Sequence, residues 1–530
     1  MLKTFSERIP SLISNALLSS HRLQRIVLWH NGIEDEHAAD ILNALHYSPG
    51  MHYLSDLYLG CNNIEEKGCT ALGHVLKNPA SKLRRLNLCC NNLNNTCVEI
   101  LAGALMENST LHLLNLSDQK SVSLSGWCSF AAVLSNPNSS LKTVVLSHND
   151  VGDCGAISFG HSLTNNSRSK RKGFKLDLSY DKSISLVGWQ GFSSCLCAPN
   201  LTLRELSLEG CEINDELATL IITAVAKSSI LKKLNMSAMV TISAAGWIQC
   251  FCLMADFEFT LDAIDLGHNT IDDSGATMLF NLLVNSSLKT LDIAYTESIT
   301  PAGWMICLQS LIGTNTTVEK LELHSNNIDD EGAALLVHLL PTLCTTYIDL
   351  HDNRLISANG WSLFARILRV GSSSKLNQLC LGSEDQVVIT DRVITGFADA
   401  LAQNISLEIL ELYGTSFSKR GWRALADALC DNSSIADICN SNHTLHTFWL
   451  GRGFPPGCIT SFLSLNKNED KADVIRSKFL AHFFHNVDNI GPVFAQLPTE
   501  LFPDAVSWIG RDHLGFSTMY YLLRSFPSIF

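Results

Sequence analysis

Apolar positions along this 530-residue chain recur as Leu-x-x-Leu-x-Leu, a polar turn, and an apolar run at helical spacing. Two copies stand side by side between Leu261 and Trp304. In the first, Leu261, Ile264 and Leu266 lead through Asn269 and Ile271 to Asp273 and Gly275, then an apolar run to Asn285. In the second, Leu288, Leu291 and Ile293 lead through Ile299 to Thr300-Pro301-Ala302-Gly303-Trp304. The alternating part predicts a short strand, and the run at i, i+3, i+4 predicts a helix returning to the start. Neither copy buries its apolar side alone, so each needs a neighbour on both sides. The chain supplies them. Strand starts fall at Leu23, Leu54, Leu83, Leu111, Leu141, Gly173, Leu203, Leu231, Leu261, Leu288, Val318, Thr345, Leu376, Leu407 and Leu445, 27 to 32 residues apart until a last gap of 38.

Two repeat types alternate over much of the chain. One has Asn eight residues after the start (Asn31, Asn62, Asn91, Asn149, Asn269, Asn326) and an acid before its helix (Asp35, Asp153, Asp273, Asp330). A buried Asn there can bond free backbone groups of the turn, and the Asp is expected to cap the helix that it precedes. The other type carries Gly-Trp (Gly126-Trp127, Gly188-Trp189, Gly246-Trp247, Gly303-Trp304, Gly360-Trp361, Gly421-Trp422), with Ser or Thr three residues before the Gly as the expected N-cap. Trp followed by Phe at i+3 is core spacing, so these tryptophans are assigned to packing. Seven Asn-x-Ser/Thr sites share one register, at Asn108, Asn138, Asn200, Asn285, Asn315, Asn404 and Asn442. They are expected to stop helices in the left-handed conformation.

Composition narrows the classes. With 46% hydrophobic and 17% charged residues the chain is a folded one. A net charge of −13 argues against a nucleic-acid surface and favours a neutral or basic protein partner. The start is charged and proline-broken, unlike a signal peptide, and no apolar run approaches the roughly 18 residues that span a bilayer. The 18 cysteines include no CxxC pair, so neither a zinc site nor a redox motif is indicated, and reduced, packed thiols are expected; Cys61 and Cys90 share one register. The basic run Arg168 to Lys172 reads as a solvated loop.

These repeats resemble the leucine-rich repeat of the ribonuclease-inhibitor type, and the repeat regions of NOD-like receptors, over about residues 23–460. The resemblance implies an α/β solenoid, a horseshoe with a parallel β-sheet on the concave face and helices on the convex face. The expected organisation is an N-terminal helical cap at 1–22, about fifteen repeats over 23–465, and a C-terminal helical cap or docking segment at 466–530. The stretches Ser507 to Arg511 and Leu523 to Pro527 look like a tail of microalgal leucine-rich-repeat proteins. No P-loop sequence occurs, so the nucleotide-binding part of a receptor is not expected.

The fourth residue after each strand start should point into the concave face. That row runs Val27, Tyr58, Asn87, Asn115, Val145, Asp177, Ser207, Asn235, Asp265, Asp292, Glu322, Asp349, Cys380, Glu411 and Trp449, and its second half is acidic. Two residues earlier lies a more basic row with Arg25, Arg85, Lys175, Lys233 and Lys320, and a third set carries His30, His148, His268, His324 and His351. Tyr58, Asp177, Asp265, Asp292, Glu322, Asp349, Glu411, Tyr413 and Trp449 are therefore the candidate partner-binding residues, acids for basic groups and aromatics as anchors. No hydrolase, zincin or dinucleotide motif occurs, so catalytic residues, metal and cofactor are not expected. The reading is a monomeric, cytoplasmic or nuclear, non-enzymatic scaffold, sensor or inhibitor that binds a protein, not nucleic acid or membrane. The alternative is a regulator of a small GTPase, because the Ran GTPase-activating protein has similar repeats.

Overall fold

A computed structural model describes residues 8–19, 22–164, 173–257, 259–284, 286–369, 374–433 and 435–483. The run Arg168 to Lys172, Asn285 and everything from 484 on, including the tail stretches, lie outside the described residues. The chain forms two compact units, Met1–Ser298 and Ile299–Phe530.

In the first unit, the short apolar runs become strands β1 (Arg25–Val27), β2 (Asp56–Tyr58), β3 (Arg85–Asn87), β4 (Leu113–Asn115), β5 (Thr143–Val145), β6 (Phe174–Asp177), β7 (Leu203–Ser207), β8 (Lys233–Asn235), β9 (Ala263–Asp265) and β10 (Thr290–Asp292). Each is followed by a helix that carries the chain back, so successive strands pair in parallel and in chain order. The middle residue of each three-residue strand is buried, as with Leu57, Leu86 and Leu114. Helix Arg8–Ser19 closes the first coil, where Leu17 is buried and its carbonyl accepts the Ser48 hydroxyl at 2.6 Å.

Three devices hold one coil to the next. Seven residues after each start the backbone turns left-handed, at His30, Cys61, Cys90, Asp118, His148, Tyr180, Ala238, His268 and Tyr295 and at Gly210. A non-glycine residue there costs about 1–2 kcal/mol. The conformation aims its N–H at the next coil, as in Cys61 N–H to Cys89 O (2.7 Å) and His148 N–H to Ser179 O (2.9 Å).

The buried asparagines form the second device. Asn62 donates to Leu28 O and Leu59 O and accepts from Ile33 N–H; Asn91, Asn149 and Asn269 repeat this bridging. Gln119 takes the same place in its coil, whereas Asn31, in the first coil, stays exposed.

The third device corrects the expectation for Asp35, Asp153 and Asp330. They reach the helix start of the following coil. Asp153 accepts Ser185 N–H and Oγ–H, both at 2.7 Å, and Asp215 accepts the same groups of Ser243 at 2.7 and 2.6 Å. Asp35 likewise receives Glu65, Lys67 and Gly68 N–H. This explains the glycine of Gly-Trp: a β-carbon on Gly246 would sit 2.2 Å from Asp215 Oδ1, and one on Gly188 would sit 2.4 Å from Asp153 Oδ1. The expected serine caps form at Ser185, Ser243, Thr300, Ser357 and Ser418 but not at Ser123, which instead takes a bond from Asn95.

The second unit repeats the scheme with β11 (Lys320–Glu322), β12 (Tyr347–Asp349), β13 (Gln378–Gly382), β15 (Ile409–Tyr413) and β17 (Thr447–Leu450), parallel and in that order. β14 (Ile389–Thr390) and β16 (Thr415–Ser416) make a small side ladder. Asp330 and Asp391 cap the next coils through Ser357 and Ser418, and a β-carbon on Gly360 or Gly421 would strike them. Trp304 and Trp361 are fully buried, while Trp422 is half-buried against Phe417 and Phe448. Helices Gly457–Asn466 and Lys471–Phe483 follow the last strand.

Two further expectations change. Among the described residues, none of the sequon asparagines turns left-handed; Asn108 is extended (φ −81°), and Asn285 lies outside the described residues. Its side chain accepts Thr110 and Leu111 N–H and donates to Leu76 O one coil back, and Asn404 and Asn442 do the same in their coils. A buried, donating amide has no place for a sugar. One cysteine pair is also bonded rather than free: Cys128 and Cys154 form a disulfide, and the other 16 thiols are free.

Candidate functional site

The parallel register carries the predicted row onto one face. In the first unit Val27, Tyr58, Asn87, Asn115, Val145, Asp177, Ser207, Asn235, Asp265 and Asp292 are successive strand partners. The amide or carboxylate of this position has a local task. Asn87, Asn115, Asn235, Asp177, Asp265 and Asp292 each accept the N–H two residues on, at 2.8–3.1 Å, and so close the turn after the strand. An amide oxygen does this as well as a carboxylate. The negative charge on Asp177, Asp265 and Asp292 is therefore more than the turn requires.

The neighbouring basic row answers its own acids. Arg85 pairs with Asp56 at 3.1 Å, and Lys175 and Lys233 flank Glu205 at 2.5 and 3.4 Å. Beside Asp265 and Asp292 that row holds Ala263 and Thr290. Tyr58 is half-buried with the Arg25 guanidinium 6.0 Å from its ring centre. Stacked pairs line the turns one step further on: His148 with Tyr180 (4.4 Å between ring centres) and His268 with Tyr295 (4.0 Å). The sequence reading found the histidines of these pairs but not their tyrosines, which lie in the same register 32 and 27 residues later.

In the second unit Glu322, Asp349, Cys380, Glu411 and Trp449 are successive partners. Asp349 is 7% exposed and accepts both the backbone N–H (3.0 Å) and Nδ1 (2.7 Å) of His351. Burial disfavours the imidazolium of His351, but the bond to Asp349, with the charges of Asp352 and Glu384, outweighs it and raises the pKa. Asp349 therefore orients His351 more than it faces solvent. His351 stacks between His324 (4.5 Å) and Tyr413 (4.6 Å), and Tyr413 meets the edge of Trp449, which is 47% exposed. Glu411 accepts from Gln378 Nε2 (3.2 Å) and Tyr413 OH (3.3 Å). Burial first, then the surrounding carboxylates, push the phenols of Tyr347 and Tyr413 up, so both stay protonated donors. Glu322, His324 and Asp349 bring ligand atoms within 4.8 Å of one another. Protein groups already answer them, with Lys320 Nζ 2.7 Å from Glu322 and His351 on Asp349.

A groove of about 680 Å³ lies away from these rows, lined by Phe251, Met254, Phe257, Met278 and Leu282, with Asp256 as the titratable group in its lining. It gathers no chemistry.

The leucine-rich-repeat family model matches residues 138–160, 200–216, 259–280 and 314–337, each spanning parts of the coils just described. The chain is a leucine-rich-repeat protein. Its repeats are of the ribonuclease-inhibitor type: ribonuclease inhibitor of Sus scrofa is 24% identical over 424 residues, 73% of this chain and 88% of the inhibitor. NACHT, LRR and PYD domains-containing protein 14 of Mus musculus is 26% identical over 336 residues, 57% of this chain. The leucine-rich-repeat protein described here spans only 32% of that relative's length. A solved structure of yeast Rad7 in complex with Elc1 covers 62% of this chain and 86% of that chain, at 15% identity and a TM-score of 0.42. Among the described residues, no helix of this leucine-rich-repeat protein is long and apolar enough to cross a membrane.

Proposed function

We propose that this leucine-rich-repeat protein is a binding scaffold that holds a protein partner with basic groups on its strand-lined face. One observation carries the reading: the turn position needs only an acceptor oxygen, yet Asp177, Asp265 and Asp292 supply a charge where Asn87, Asn115 and Asn235 do not. Adjacent strands lie about 4.8 Å apart, so charges on neighbouring coils sum within a Debye length and steer an oppositely charged partner. In the second unit Glu411 is acidic at the same strand position while Glu322 is paired with Lys320, and Tyr58, Tyr413 and Trp449 supply large amphipathic contact area. Asp349 takes part by holding His351. The ribonuclease inhibitor relative is by its name a protein that acts on another protein, which suits the same use of a repeat face. Nothing in these relatives favours the GTPase-activating alternative.

The test is capture from native lysate on immobilised protein, with partners identified by mass spectrometry and affinity then measured against salt. The comparison variant carries Asp177→Asn, Asp265→Asn and Asp292→Asn, which keeps every turn bond and removes only charge. The partner should be lost or weakened at least tenfold, and the wild-type affinity should fall as salt rises. A partner retained at equal affinity and indifferent to salt would refute the acidic row.

A further inference from the structure

Three thiols, Cys61 and the adjacent Cys89 and Cys90 of the next coil, meet at the ends of β2 and β3. Cys61 and Cys90 occupy the same left-handed turn position in adjacent coils (φ 55° and 50°), and Cys89 precedes Cys90. The β2–β3 register, Tyr58 opposite Asn87, places them side by side, and the bonds Cys61 N–H to Cys89 O (2.7 Å) and Cys90 N–H to Ser117 O (2.9 Å) fix the backbone beneath them. All three sulfur atoms lie within 4.8 Å of one another and are half-buried, within reach of solvent. Gly60 leaves the room this needs: a β-carbon there would stand 2.6 Å from Cys89 Sγ.

A carboxylate flanks the group at Cys90. Asp118, at the same turn position one coil on (φ 57°), has Oδ2 3.3 Å from Cys90 Sγ while Oδ1 is held by Lys120 Nζ at 2.7 Å. Lys120 keeps the Asp118 carboxyl below its usual range, so it is ionised. Burial first, then Asp118 and the neighbouring thiols, hold the Cys90 thiol well above its ordinary pKa, and burial does the same for Cys89. A divalent cation would reverse the sign of that field.

We propose that Cys61, Cys89 and Cys90 form a binding site for Zn²⁺, with three thiolates as protein ligands, water in the fourth position, and Asp118 beside Cys90 as the outer carboxylate that orients the site. Tetrahedral zinc with bonds of about 2.3 Å to sulfur needs sulfur atoms about 3.8 Å apart, against separations of up to 4.8 Å here, a contraction of at most about 1 Å. On binding, the three S–H groups give their protons to solvent. The site then carries three thiolates and a dication, net charge −1, with the Asp118–Lys120 pair beside it. The ion ties two successive coils together at the strand ends. The CxxC rule misses this site because the repeat period supplies the spacing: ligands 29 residues apart in sequence are neighbours in space.

The test uses the full chain, reduced and stripped with a chelator under anaerobic conditions. Titrated with Co²⁺ as a spectroscopic stand-in, it should take up one equivalent with tetrahedral visible bands and sulfur-to-metal charge transfer. Zn²⁺ should bleach these, with release of up to three protons. The isosteric double variant Cys61→Ser/Cys90→Ser should lose the signal, and Asp118→Asn should weaken Zn²⁺ binding at least tenfold. The control Cys197→Ser/Cys252→Ser, which removes exposed thiols elsewhere, should leave it unchanged. Octahedral Co²⁺ alone, a signal that survives in Cys61→Ser/Cys90→Ser, or a disulfide among the three cysteines that persists in the reducing buffer would each overturn the proposal. Far-ultraviolet circular dichroism checks that each variant keeps its fold, and Asp118→Asn keeps all three thiols should the double variant fail to fold.

Discussion

The link between Asp215 and Gly246 can be tested by a double-mutant cycle. Asp215 accepts Ser243 N–H at 2.7 Å and Ser243 Oγ–H at 2.6 Å across the coil boundary, on the surface of the molecule. Losing a cap of this kind costs about 1 kcal/mol (range 0.5–2), and the acid also sits in the first turn of its own helix, which adds a few tenths. Asp215→Ala should therefore cost about 1–2 kcal/mol. Gly246→Ala puts a β-carbon 2.2 Å from Asp215 Oδ1 and 2.5 Å from its Cγ, so the carboxylate must swing away and both bonds break. Alanine gains about 0.8–1 kcal/mol of helix propensity over glycine, but displaced packing costs about 1–3 and the cap about 1 more, a net loss of about 1–3 kcal/mol. In the double variant the new β-carbon faces only the residue-215 β-carbon, 3.1 Å away, and the propensity gain remains. The double variant should thus be about as stable as Asp215→Ala, a coupling of about 1–3 kcal/mol. Urea unfolding followed by circular dichroism, with hydrogen exchange at the Ser243 amide as a local reading, measures this. Effects that add to within about 0.5 kcal/mol would refute the view that the aspartate makes glycine necessary.

Other expectations follow from single contacts. Trp247 is fully buried and its indole N–H has no hydrogen-bond partner among the described residues, so Trp247→Phe should cost no more than about 1 kcal/mol, against about 3–5 for Trp247→Ala, in the same unfolding assay. Lys478 donates to Leu429 O and Asn442 O, both at 2.6 Å, and contacts His443 Nδ1 at 3.1 Å, while burial pushes it down to about 7. With the folded value below the unfolded one, the unfolded chain holds the extra proton from about pH 7 to about 10.4, so stability should rise with pH across that window and cease to do so in Lys478→Met. His351 has the opposite sign: its folded pKa is raised, so its contribution is full below about 6.5 and lost as pH climbs through the folded value. Asp349→Asn keeps the turn bond but not the charge and should flatten that slope in a pH series of unfolding curves.

Much of this molecule follows from order along the chain alone. The spacing of Leu261, Ile264 and Leu266 and the run after Asp273 specify a strand and a returning helix without reference to anything distant, because strand and helix periods are local properties of the backbone. Repetition of that unit then makes the parallel stack unavoidable, since an apolar side must be covered, and the row from Tyr58 to Asp292 follows from counting. What counting leaves open is which group of one coil answers which group of the next. Asp153 was expected to cap the helix that it precedes, yet its carboxylate closes Ser185 of the next coil; Asn108, Asn404 and Asn442 were expected to bend the backbone, yet they bridge coils with their side chains. Cys61, Cys89 and Cys90 carry no motif in sequence, and Asp349 is named by its register but hidden by His351. Hydrogen bonds and metal ligation depend on distances of a few tenths of an ångström between atoms about thirty residues apart, and the periodic pattern fixes neighbours only to the nearest residue. Tertiary packing alone sets those last tenths, and with them the caps, the buried charges and the thiol cluster.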